Sequence, residues 1–229
     1  KMEFKTLTWN DCTVEQWQEV LEIIATKGIL PTDFVLEIGD VFFDIPDDLG
    51  ERDLRKLKTA ISFIKSPVSE KYKQEVNGNQ IKKLSRLSLA NYIDLDVLLV
   101  NNSLTDALPN AVKILYDLND AVYDVKITDV YGAVMEFRTY RKQVGEKYPT
   151  VFDSDEDGDF PEGYEPEPEE LEEANQGRST DEQWLTVVFG LTQGDITKYQ
   201  HVMSLPHILV FNWVALGESL KPHLPKKIG

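Results

Sequence analysis

The sequence predicts a mainly α-helical protein: amphipathic helices, one small β-hairpin, and an acidic arm that interrupts them. Three observations lead there. Apolar residues recur at three- and four-residue spacing through most of the chain. One Asn-Gly dipeptide stands between short alternating segments. Of the 40 acidic residues, 12 fall between Asp153 and Glu173, where no Lys or Arg occurs.

The first helix is announced by "DCTVEQWQEVLEIIATKG". Thr13 and Gln16 stand three apart as a capping box, each side chain able to satisfy the other's free backbone donor. Val14, Trp17, Val20, Leu21 and Ile24 then share one helical face, and Gly28 supplies a stop. A second helix is expected over 47–65, with Leu54, Leu57, Ile61 and Ile64 on one stripe and Pro67 beyond its end. "KYKQEVNGNQIKKL" alternates about Asn77-Gly78, the dipeptide that favours a two-residue hairpin turn. Helical spacing resumes in "SLANYIDLDVLLV" and in "LPNAVKILYDL", where Pro109 suits a first turn. Val130, Val134, Phe137, Tyr140 and Val144 carry another helix.

After Pro149 the character changes. "DSDEDGDFPEGYEPEPEELEEANQGRS" has three prolines, three glycines and almost no aliphatic residues. Like charges repel and little can be buried, so nothing offsets the entropy of ordering such a segment. Helical pattern returns with a second capping box, Thr180 and Gln183, and a buried face of Trp184, Val187, Val188 and Leu191. Gly194 and Asp195 in "TQGD" form a helix stop followed by the next N-cap. Ser204 is expected to start a third helix, on which Leu209, Trp213, Leu216 and Leu220 repeat every three or four residues. The expected organisation is a helical domain with a hairpin over 1–150, an acidic arm over 151–178, and a C-terminal three-helix segment over 179–229.

Composition narrows the function. No run approaches the roughly 18 apolar residues needed to cross a bilayer, so a soluble protein made in a cytoplasm, without a membrane partner, is expected. Cys12 is the single cysteine and allows neither a disulfide nor a thiolate cluster within one chain. The formal charge of -16 is a local feature, since outside 153–173 there are 28 acidic against 24 basic residues. A basic block from Arg52 to Arg86 includes Arg52, Arg55 and Lys56. Opposite blocks of this kind can pair head to tail between copies.

Asp153, Asp155 and Asp157 copy the alternating positions of a calcium loop, with Gly158 at its turn. The twelfth position, however, is Tyr164 instead of a bidentate carboxylate, so a calcium function is not expected. His201 and His207 are six apart and do not converge on one helix face. Neither a phosphate-binding loop nor G-x-S-x-G occurs. The expectation is a protein that is not an enzyme, takes no cofactor and binds no specific nucleic acid.

Three stretches, "LTWNDCTVEQWQEVLEI", "FIKSPVSEKYKQEVNGNQIKKLSRLSLANYIDLDVLL" and "DEQWLTVVFGLTQGDITKYQHVMSLPHILVFNWVAL", together resemble a known group. It comprises small proteins from tailed bacteriophages of gut Bacteroidales, crAss-like phages included. The middle stretch is similar to that group's helix, "ING" hairpin and "YIDL" helix. The last is similar to its "W…GDI…LP" helices. The resemblance implies a tail- or neck-module protein, either a ring-forming virion structural protein or a tail-assembly chaperone that binds the tape-measure protein. The partners it implies are copies of the chain and neighbouring tail or neck proteins, in a virion assembled in the bacterial cytoplasm. From their size and spacing, Trp184, Leu209, Trp213 and Leu216 are expected as core or interface anchors. Arg52, Arg55 and Lys56, and Asp153, Asp155 and Asp157, are the charged interface candidates.

Overall fold

The computed structural model describes residues 3–27, 32–46, 49–152 and 180–220. Its first elements are α1 (Val14–Lys27), α2 (Thr32–Phe42), α3 (Glu51–Ala60) and the strands β1 (Glu75–Val76) and β2 (Asn79–Gln80). Then follow α4 (Leu89–Asn101), α5 (Leu104–Tyr116), α6 (Ile127–Lys147), α7 (Pro149–Phe152), α8 (Thr180–Thr192), α9 (Tyr199–Ser204) and α10 (His207–Leu220). The fold is mainly helical with one small antiparallel hairpin, as the periodicity predicts.

The contacts divide into two compact units, 1–81 with 102–137, and 82–101 with 138–229. This differs from the expected division at residue 150. Helix α4 buries Leu89, Tyr92, Ile93, Leu95 and Asp96, and it finds its partners in the C-terminal helices. Helix α6 contributes its first half to one unit and its second half to the other. The expected acidic arm lies outside the described residues from Asp153 onward.

In the first unit the predicted capping box is present. Thr13 Oγ1 accepts from Gln16 N–H at 3.2 Å, and Gln16 Oε1 accepts from Thr13 N–H at 3.1 Å. The Gln16 amide also donates to the Val41 carbonyl at 3.1 Å, tying α1 to the end of α2. Val20, Phe34, Ile38, Leu57 and Ile61 bury together where α1, α2 and α3 meet. The second predicted helix is shorter than 47–65: α3 follows Gly50, and beyond Ile61 the chain tightens into a 3-10 turn over Ser62–Lys65.

Pro109 lies inside α5, since that helix starts earlier, on Ser103 as N-cap. A proline has no N–H to donate to the carbonyl four residues back. That carbonyl belongs to Thr105, and it accepts from the Gln18 side-chain amide at 2.8 Å. A side chain of α1 thus replaces the missing helical hydrogen bond. The hairpin turns at Asn77 and Gly78, with φ of 50° and 81°, the left-handed backbone a tight two-residue turn requires.

The chain before the hairpin is held against α6. Lys73 N–H donates to the Asp129 carbonyl at 2.9 Å, and the Lys73 ammonium pairs with the Asp129 carboxylate at 2.8 Å. Tyr116 Oη donates to the Lys73 carbonyl at 2.6 Å, and the Tyr72 hydroxyl bonds Glu136. Gly132 permits this approach, because a Cβ there would lie 1.8 Å from the Glu70 carbonyl oxygen.

In the second unit α8, α9 and α10 pack on α4. The third C-terminal helix does not start at Ser204. Helix α9 ends there, Pro206 forces the preceding Leu205 into extended backbone (ψ 149°), and α10 begins at His207. The extended Leu205–Pro206 step is used: Leu89 N–H donates to the Leu205 carbonyl at 2.7 Å, and His207 N–H donates to the Leu87 carbonyl at 3.1 Å.

Gly132→Ala should destabilise the protein by roughly 1–3 kcal/mol through overpacking, although alanine favours helix by about 1 kcal/mol. Gly145→Ala on the same helix, where an added Cβ meets nothing within 4 Å, should raise the urea midpoint. Equal shifts for the two variants would contradict this packing.

Candidate functional site

The interior of the second unit is built around α4. Asp96 is buried, and its Oδ2 accepts from the Trp184 indole N–H of α8 at 2.8 Å. Its Oδ1 accepts from the Arg141 guanidinium of α6. One turn earlier, Tyr92 stacks on His207 of α10, with ring centroids 4.5 Å apart and planes within 13°. Its ring also meets Phe211 edge-on at 5.3 Å and Trp184 at 5.9 Å. His207 Nδ1 donates to the Leu87 carbonyl at 2.9 Å, leaving Nε2 to accept from the Tyr140 hydroxyl at 2.8 Å. Burial pulls the His207 pKa below its ordinary value, against the opposing effect of the Leu87 carbonyl. The imidazole is therefore a neutral, fully bonded part of the core.

These bonds fix which side of each helix faces in. On α8 the buried residues are Trp184, Val188 and Thr192, and on α10 they are His207, Val210 and Phe211. Both helices, and the 3-10 turn Ile196–Lys198 between α8 and α9, also carry large apolar residues away from these buried positions. Leu185 is 62% exposed, Phe189 68%, Ile196 78%, Leu209 44%, Trp213 71% and Leu216 57%. Two grooves run among them. One of about 500 Å³ is lined by Leu185, Val188, Phe189, Gly194, Ile196 and Tyr199, among others. The other, of about 320 Å³, lies among Leu191, Val202, Leu205, Leu209 and Trp213. Among the described residues no Asp, Glu, Lys or Arg lines either groove, and His201 lines the smaller one.

The predicted site residues separate accordingly. Trp184 is a core anchor. Leu209, Trp213 and Leu216 are not in the core of this chain, because α10 has two apolar faces and the structure buries the opposite one. Arg52 is exposed; Arg55 pairs with Glu51 at 3.3 Å within α3, and Lys56 pairs with Asp53. The basic block thus carries local acidic partners. Asp153, Asp155 and Asp157 lie outside the described residues. Among the described residues no cluster of three or more His, Cys, Asp or Glu could hold a metal ion. Cys12 is buried, which pushes its thiol pKa up to about 12.

Sequence reasoning missed Leu185, Phe189 and Ile196. Leu185 and Phe189 are four residues apart and each lies one position, about 100°, round the helix from the buried Trp184 and Val188, so their spacing was available. The chain matches no protein-family model, no curated protein and no solved structure.

Replacing Trp184 by Phe should cost about 1–3 kcal/mol, since a buried carboxylate oxygen loses its donor. Trp213→Ala should leave the stability of the dilute protein within about 0.5 kcal/mol of the parent. Urea unfolding of both variants measures this, and the reverse ranking would contradict the assigned faces of α8 and α10.

Proposed function

We propose that this chain is a virion structural protein of a tailed phage, part of the head–tail connector or tail, that assembles with copies of itself into a ring. The observation that carries this reading is the set of large apolar side chains on the surface of α8 to α10. Exposed apolar patches beyond a few hundred Å² mark interaction sites. The side chains best suited to chemistry support an assembly role over a catalytic one. Cys12 is buried as a thiol, and both ring nitrogens of His207 are engaged in the core. The resemblance of three stretches to tail- and neck-module proteins supports the place of action, in particles built in a bacterial cytoplasm beside other tail or neck proteins.

The two open grooves favour one second reading, a tail-assembly chaperone. Such a protein receives apolar segments of the tape-measure protein and leaves before the particle is complete. Mass spectrometry of purified virions separates the two. The structural reading expects the chain in stoichiometric amounts relative to other tail proteins. Its absence from particles, with abundance in the infected cell, would overturn that reading in favour of the chaperone.

A further inference from the structure

We propose that copies of this chain join head to tail, with the Leu209–Trp213 ridge of α10 on one copy seated in the Leu185–Phe189–Ile196 groove of the next. The proposal rests on the self-assembling reading above and names the two surfaces that would make the contact. The first argument is direction. At about 100° per residue, Leu185 and Phe189 project from α8 about 140° away from Leu191, which lines the groove beside Trp213. One unit therefore carries two apolar surfaces that face different ways. A contact between two different patches repeats from copy to copy and closes into a ring where the rotation allows.

The second argument is fit. Trp213 projects from the rim of the smaller groove beside Leu209 and is 71% exposed, while Leu185, Phe189 and Ile196 border the larger groove, whose mouth is turned by Gly194 at φ 73°. The exposed parts of these five side chains amount to on the order of 700 Å². A standard interface buries about 1,600 Å², a little over half of it apolar, so one such contact has most of the apolar area it needs. Symmetric pairing of α10 with itself would leave Phe189 and Ile196 in water. Head-to-tail pairing covers both surfaces with one kind of contact.

The third argument is charge. A chain of net charge -16 opposes its own copies, but 12 of its acidic residues lie between 153 and 173. Among the described residues no Asp, Glu, Lys or Arg lines either groove, and at the edge of the larger one Asp195 and Lys198 pair with each other at 3.4 Å. A second copy therefore meets the groove without stranding a charge, whereas a charged partner finds nothing there to pair with.

Complementation between two broken surfaces tests this. Full-length Trp213→Glu loses the ridge and Phe189→Glu loses the groove, and each is compared with the parent by circular dichroism and analytical ultracentrifugation. Trp213→Ser and Phe189→Ser serve where a Glu variant fails to fold. Each variant alone should be a monomer, and an equal mixture should give a heterodimer and nothing larger, because one intact ridge and one intact groove remain. Self-association of the Phe189 variant, or a mixture that stays monomeric, would overturn the head-to-tail contact. A parent that assembles while both variants assemble like it defeats this contact and leaves the ring reading standing. A parent that stays monomeric at every concentration defeats both.

Discussion

The buried carboxylate of Asp96 sets the arrangement of the second unit. A buried carboxylate must be matched by donors, since leaving one of its oxygens unpaired costs about 1–3 kcal/mol or more. Here the donors come from two other helices, Trp184 on α8 and Arg141 on α6. Each fixes the rotation of its helix about its own axis. His207 does the same for α10, because its ring is stacked on Tyr92 and bonded at both nitrogens. Polar bonds thus specify orientation, while Tyr92, Phe211 and the aliphatic residues supply most of the burial.

Once those rotations are fixed, the outer faces of α8 and α10 follow without further choice. Both helices are too apolar for a single buried side to use all their large residues. The surplus, with Phe189 and Trp213 the largest, stays at the surface, and among the described residues no Asp, Glu, Lys or Arg lines the two grooves beside it. Water tolerates isolated apolar residues at a surface, but several large ones on neighbouring helices favour association. The first unit contrasts with this. Its surface carries local ion pairs, as in Arg55 with Glu51 and Lys113 with Asp120 at 2.8 Å, and side chains of the same unit cap the starts of α1 and α5.

Much of the fold was legible because the signals were local. The Thr13–Gln16 box, the Asn77-Gly78 turn, the Asp195 cap and the long period of α6 each act within a few residues. What was not legible depends on distant partners. Helix α2 escaped notice because Gly39 and the β-branched and aromatic residues around it weaken a helical reading. In the fold, Gly39 lets Ile45 and Leu57 come close enough that an added Cβ would stand 2.4 Å from the first. Pro109 suggested a first turn because the sequence does not reveal that Gln18 would satisfy the Thr105 carbonyl. On α10, spacing marks an apolar stripe at Leu209, Trp213 and Leu216, but not which of two stripes is buried. That choice was made by His207, a residue periodicity counts as polar.

The central claim is that α10 buries its His207 face and offers its Trp213 face for assembly. Fluorine NMR of protein labelled with 5-fluorotryptophan tests it most directly, with each signal assigned by substitution and its solvent isotope shift followed over a dilution series. The account predicts that Trp213 is solvent-exposed in the dilute protein and becomes shielded as concentration rises, while Trp184 is shielded throughout. A Trp213 signal shielded at the lowest concentration, or exposed at every concentration, would contradict it.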